Sequence, residues 1–179
     1  MNIAVYCSAK DQIPDDYKTL GTKLGQWIAD SGHTLVFGGA TGGLMTAVSE
    51  AVFRKGGNVI GVIPIRIIQA GRLSNACTEI IKVDSMSMRK QQMRDISDVF
   101  ICLPGSYGTL DEMFDVIAAG TIGEHHKPTY IVNYNGFYMP LQEQIARMKD
   151  LHFIPKEESY KPMFVDDIEA LITELQKIK

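Results

Sequence analysis

The chain has 179 residues, of which 45% are hydrophobic and 22% charged, an ordinary balance for one globular domain with its own core. Its formal net charge of −3 excludes a chain-wide basic field for nucleic acid, and no run approaches the roughly 20 apolar residues needed to cross a bilayer. The three cysteines, Cys7, Cys77 and Cys102, form no C-x-x-C pair and are odd in number, which argues against a zinc site or a disulfide framework.

The first residues, MNIAVYCSAKDQ, carry no basic n-region and only a short apolar run, so no secretory signal is expected and the setting reads as cytoplasmic. Ile3–Tyr6 reads as a buried strand. In Asp15–Ser31, Tyr17, Leu20, Leu24 and Trp27/Ile28 recur at helical spacing, and Gly32 stops the helix. A strand at Leu35–Phe37 and a helix at Leu44–Lys55 follow, then a strand at Val59–Ile63. Arg66–Asn75 is the one irregular stretch longer than a tight turn and is expected as a loop over the site. A weaker strand at Ile80–Val83 precedes a helix at Met86–Ser97, a strand at Val99–Leu103 and a helix at Thr109–Ala119. His125-His126 reads as an exposed loop with no metal partners. Tyr130–Val132 is the last clear strand. The helix Leu141–Lys149 has Pro140 in its first turn, and the helix Asp166–Ile178 has Asp166 as its cap.

Strands that are apolar on both faces, alternating with helices, imply parallel pairing with right-handed crossovers. The expectation is an α/β fold in one domain over residues 1–179: a doubly wound, Rossmann-like parallel sheet of six or seven strands with helices on both faces. Ligands of such sheets bind beyond the carboxyl ends of the strands. Three of those ends are distinctive: Cys7-Ser8-Ala9; the run Gly38-Gly39-Ala40-Thr41-Gly42-Gly43; and Pro104-Gly105-Ser106-Tyr107-Gly108-Thr109. Each Gly-rich turn opens a helix, whose unpaired N–H groups and dipole suit a phosphate. Asp111 and Glu112 follow the second turn. They either complement the helix dipole from its first turn or meet a sugar at a site where charge develops. Met86–Arg94 is open to two readings: a Met stripe in the core with basic residues in solvent, or Arg89 and Lys90 turned to the ligand as donors. Cys7 and Cys102 read as small core residues beside the site.

At these residues the chain resembles the LOG ("Lonely guy") family, the cytokinin riboside 5′-monophosphate phosphoribohydrolases, over nearly its whole length. The family motif P-G-G-x-G-T-x-x-E stands here as Pro104–Glu112, with Ser106 replacing the second glycine. A segment like M-H-x-R-K-x-x-M reads Met86-Ser87-Met88-Arg89-Lys90-Gln91-Gln92-Met93, without the histidine. G-G-x-x-x-G-L-M is matched loosely from Gly38 or Gly39 to Met45. The loop after the third strand, Pro64-Ile65-Arg66-Ile67-Ile68, lacks the acidic residue many members carry. The label "possible lysine decarboxylase" is also attached to many members, but that chemistry needs a pyridoxal phosphate lysine, which nothing in the chain identifies.

The resemblance implies that Arg89 and Glu112 are the catalytic pair and that Lys90 and Ser106–Asp111 line a nucleotide site in a homodimer, with the Met88–Met93 helix near the interface. The full candidate binding set is Ser8, Gly39, Gly42, Gly43, Lys90, Gly105, Ser106, Tyr107, Gly108, Thr109 and Asp111. The expected reaction is hydrolysis of the N-glycosidic bond of a purine nucleoside 5′-monophosphate, with no metal or organic cofactor and no nucleic-acid or membrane partner. A nucleotide or cofactor carrier of the same fold stays open beside it.

Overall fold

The computed structural model describes residues 1–155 and 157–178. Seven parallel strands form one sheet in the order β4-β3-β2-β1-β5-β6-β7. They are β1 (Asn2–Tyr6), β2 (Thr34–Phe37), β3 (Asn58–Pro64), β4 (Glu79–Val83), β5 (Val99–Cys102), β6 (Thr129–Val132) and β7 (Met163–Val165). Among the described residues seven α-helices connect and flank them, besides a 3-10 turn at Tyr134–Gly136: α1 (Asp15–Asp30), α2 (Gly43–Arg54), α3 (Ile65–Gln69), α4 (Met86–Ile96), α5 (Tyr107–Thr121), α6 (Met139–Asp150) and α7 (Ile168–Leu175).

Strand side chains alternate between two cores, as a two-residue period requires. Ile3, Val5, Leu35, Phe37, Val99 and Ile101 pack with Leu24 and Ile28 of α1, Val48 and Val52 of α2 and Leu171 of α7. Ala4, Tyr6, Val36, Phe100 and Cys102 pack on the other face with Met93 of α4 and Met113 and Val116 of α5. Both faces are thus covered, which is why the strands read as continuous apolar runs. The chain winds outward from β1 to β4 in one direction and from β5 to β7 in the other. The order reverses between β1 and β5, and there the two loops part to leave a crevice.

The strand count meets the expected six or seven, the seventh being a three-residue strand at the edge that the chain-order reading did not name. Several expectations change here. The stretch Arg66–Asn75 is not wholly irregular: Ile65–Gln69 is helical, and the rest is tied back by Thr41 N–H to Arg72 O (2.8 Å) and Ser74 N–H to Gly39 O (2.9 Å). The last helix is capped by Asp167, whose carboxylate accepts from Ala170 N–H at 2.8 Å, and not by Asp166. His125 is buried, with Nε2 2.8 Å from Val116 O and its ring edge-on to Phe100 and Tyr160; only His126 is exposed. No helix among the described residues is long and apolar enough to cross a membrane.

Candidate active site

The β5–α5 turn begins the site. Leu103 runs into Pro104 and Gly105, Ser106 takes an extended N-cap conformation, and the helix starts at Tyr107. The first intrahelical bond is Leu110 N–H to Ser106 O (3.0 Å), so the N–H groups of Tyr107, Gly108 and Thr109 have no helical partner. Ser106 makes no side-chain cap and lines the crevice. Gly105 is required by crowding and not by its backbone angle: a Cβ there would overlap the buried Thr109 side chain. Gly108 has open space where a Cβ would stand. Tyr107 is exposed on the surface.

The crevice is a cleft of about 520 Å³ between this turn and the β1–α1 loop. Ser8, Lys10, Gly105 and Ser106 give it polar groups, and Ile13, Tyr17, Leu44 and Phe137 an apolar wall. Ser8 braces the two sides, donating its N–H to Pro104 O (3.2 Å) and accepting from Met45 N–H (3.2 Å) and, at its hydroxyl, from Lys10 N–H (3.2 Å).

The other Gly-rich turn is occupied by the chain itself. Gly42 donates to the Thr46 hydroxyl (2.7 Å) and Gly43 to the Asp11 carboxylate (2.9 Å). Both have positive φ, 119° and 47°, and a Cβ on either would overlap the backbone carbonyl of Ala9 or Lys10. Gly39 also has positive φ and lies against Ile63 and Gly61. Gly39, Gly42 and Gly43 therefore let three backbone segments pass one another, and Asp11 supplies the anion that the α2 N-terminus attracts.

Arg89 and Glu112 meet beside the crevice. Arg89 Nη2 stands 2.8 Å from Glu112 Oε1, and the two residues are 8% and 3% exposed. Arg89 lies in the first turns of α4, which Ser85 caps by accepting from Met88 N–H. Of the two sequence readings of this helix, the structure buries Met93 but leaves Met88 48% exposed and turns Arg89 inward. Its guanidinium fills the space over Gly38, where any Cβ would overlap Nη2. The Arg89 Nε–H is buried with no acceptor among the described residues. Burial pushes the Glu112 carboxyl up to about 6, against the opposing pull of the Arg89 charge. Burial likewise raises the thiols of Cys7 and Cys102, which are core residues and poor nucleophiles. Because α5 starts at Tyr107, Asp111 and Glu112 fall in its second turn, not its first, and complementing the dipole no longer accounts for them.

Lys90 and Asp111 are brought together, but with each other: Lys90 Nζ is 2.8 Å from Asp111 and 3.4 Å from Asp115. Arg94 extends the series to Asp115 (2.7 Å) and Glu124 (3.2 Å). Sequence reasoning passed over Asp11 and Asp115 and gave Gly38, named in the Gly-rich run, no role of its own. Only Asp115 left a local signal, its four-residue spacing from Asp111 opposite the same spacing of Lys90 and Arg94. No group of three metal-ligating side chains exists among the described residues.

The family model described as "Possible lysine decarboxylase" matches residues 45–175. This chain belongs to the LOG family. It is 34% identical over 177 residues to the cytokinin riboside 5′-monophosphate phosphoribohydrolase LOG5 of Arabidopsis thaliana, covering 99% of this chain and 78% of that one. It is 38% identical over 136 residues to the "Probable cytokinin riboside 5′-monophosphate phosphoribohydrolase LOGL5" of Oryza sativa subsp. japonica, covering 76% of this chain and 55% of that one. The chain thus spans little more than half the length of the rice LOG-family relative. The solved molybdenum cofactor binding protein of Rippkaea orientalis superposes with a TM-score of 0.76 at 22% identity, over 99% of this chain and 96% of that one, and shares the fold.

Proposed function

We propose that this LOG-family chain hydrolyses the N-glycosidic bond of a purine nucleoside 5′-monophosphate, N6-modified or not, to the free base and ribose 5-phosphate. The observation that carries the reading is the buried Arg89–Glu112 pair set beside a helix N-terminus with free N–H groups. A structural ion pair costs desolvation that apolar side chains would avoid, so its burial at the carboxyl ends of the strands points to chemistry. The names of the relatives support the same reaction.

In this reading the α5 N-terminus takes the 5′-phosphate through the N–H groups of Tyr107, Gly108 and Thr109, with Ser106 and Ser8 beside them. The Glu112 carboxylate stabilises positive charge growing on the anomeric carbon and takes a proton from water as its oxygen bonds that carbon. The C–N bond breaks with its electron pair passing to the base. Arg89, whose Nε–H has no acceptor among the described residues, donates hydrogen bonds to the negative charge developing there, and the proton taken from water passes on to the base nitrogen to give the free base. Asp111 reaches ribose hydroxyls once Lys90 shares it with the sugar. The β2–α2 Gly-rich turn, already occupied by Thr46 and Asp11, serves the fold. The chain acts as a homodimer in the cytoplasm, with α4 and its exposed Met88 near the interface. Residues 1–179 act as one nucleotide-binding domain.

One observation favours a carrier instead: neither Arg89 nor Glu112 lines the 520 Å³ cleft. A single set of assays separates the readings. AMP, N6-alkylated AMP and adenosine are incubated with the protein and with Glu112→Gln, free base is measured by chromatography, and AMP affinity by calorimetry. Wild type should release base from the monophosphates and far less from adenosine. Glu112→Gln should bind AMP and lose roughly 10²-fold or more in kcat. Equal turnover of adenosine and AMP would remove the phosphate anchor, and a near-normal rate for Glu112→Gln would return the chain to the carrier reading.

A further inference from the structure

Two helical ridges face each other outside the catalytic pair. On α4, Lys90 and Arg94 are four residues apart; on α5, Asp111 and Asp115 are four apart, and such spacing places each pair on one line along its helix. The ridges interlock. Asp115 is the shared member, receiving Arg94 at 2.7 Å and Lys90 at 3.4 Å, while Asp111 holds Lys90 and Glu124 holds Arg94. The three central side chains are about one-fifth exposed, so solvent screens them less than ordinary surface pairs. Arg89 and Glu112 are the adjacent residues on the sheet side of each ridge. α4 is also held at its far end, where Lys127 Nζ donates to the carbonyls of Arg94 (2.7 Å) and Asp95 (3.1 Å).

We propose that Asp115 is a positioning residue: through Arg94 and Lys90 it fixes α4 against α5 at the register that seats Arg89 on Glu112. The inference rests on the hydrolytic reading of that pair for its kinetic consequence, but its structural core can be read without any substrate. The register is demanding because Arg89 occupies the notch over Gly38, where a small slide of α4 lifts the guanidinium away from the carboxylate.

The charged and titratable groups around Glu112 are Arg89 and Lys90 from α4, Asp111 and Asp115 from α5, Tyr6 and Cys7 at the end of β1, and Cys102 at the end of β5. Arg89 is the largest charge acting on Glu112 and lowers its pKa; Asp115 is the weakest and raises it; Arg94 faces Asp115 and Glu124, not Glu112. The largest influence on Glu112 is its burial, which raises its pKa; a slide of α4 leaves Glu112 buried on α5 and withdraws only the Arg89 charge, so loosening the register moves the Glu112 midpoint upward. Loss of Asp115 as a mere distant charge moves it downward, and loss of Arg94 as a mere distant charge leaves it in place.

The experiment is a carbon-13 NMR titration of the Glu112 carboxyl in wild type, Asp115→Asn, Asp115→Glu and Arg94→Gln, with the resonance assigned by its absence in Glu112→Gln. Asp115→Asn and Arg94→Gln should both titrate above the wild-type value of about 6. Asp115→Glu, which keeps the charge, should lie nearer wild type. In base-release assays the first two should lose kcat, up to the ~10²-fold that a misplacement of about 1 Å costs, with KM little changed. A midpoint that stays or falls in either folded variant overturns the proposal; should Asp115→Asn not fold, Arg94→Gln carries the test. A wild-type protein that releases no base defeats the hydrolytic reading, while the titration still decides the positioning role.

Discussion

The two Gly-rich turns share a sheet edge and a composition, and they are built in opposite ways. At β2–α2 Gly39, Gly42 and Gly43 carry positive φ, the N–H groups of Gly42 and Gly43 are taken by Thr46 and Asp11, and the chain packs against the chain. At β5–α5 the glycines have ordinary backbone angles, and the first helical N–H groups stay free beside a cleft. A Gly-rich turn is thus not a phosphate site by composition. What matters is whether the protein has already supplied the anion, and Asp11 does so at one turn only.

The largest effect that sharpens this contrast comes from adding a methyl group to each turn. Gly43→Ala forces a Cβ into the Lys10 carbonyl at a φ of 47° and should cost about 2–5 kcal/mol in urea unfolding, from left-handed strain and overpacking together. Gly108→Ala meets open space and should leave stability unchanged while weakening binding of a nucleoside monophosphate in calorimetry. A stable Gly43→Ala, or a Gly108→Ala that binds normally, would erase the distinction between the turns.

An intermediate effect belongs to the open turn alone, since its helix carries the buried carboxylate. The folded-state pKa of Glu112, about 6, lies above its ordinary 4.5. The folded protein therefore holds the proton more tightly than the unfolded chain. The associated stability is complete below pH 4.5 and is lost as pH rises through about 6, a change on the order of 2 kcal/mol. Wild type should lose stability relative to Glu112→Gln across that window in denaturant melts, and parallel profiles would show that Glu112 titrates normally. The same group should set the acid limb of kcat/KM near pH 6.

The smallest effect concerns the closed turn. Asp11→Ala should cost about 0.5–2 kcal/mol, the scale of a lost helix cap, and leave base release largely intact. Loss of nucleotide binding in this variant would mean that the β2–α2 turn touches the ligand after all.

Much of this architecture is legible in the sequence. Strands such as Val99–Cys102, buried on both faces, announce themselves as apolar runs, and α1 shows its period over sixteen residues. β7 escaped because three residues at an edge carry no period, and α3 because five residues after Pro64 are too few to show one. The distinction between Asp166 and Asp167 as the cap turns on one residue's backbone conformation, which composition does not fix. The Pro104–Glu112 segment was readable as a local motif, whereas the stopper on the other turn joins Asp11 to Gly43 across thirty-two positions and leaves no local trace.

Gly38 extends that lesson to variation between chains. Its missing side chain is the volume in which the Arg89 guanidinium rests, so the two positions are alternatives for one space. A methyl at 38 and an arginine seated at 89 exclude each other as two keys exclude each other from one lock. A side chain acquired at 38 pushes the flexible end of Arg89 off its seat beside Glu112 without disturbing the backbone, so such a change costs the ion pair before it costs the fold.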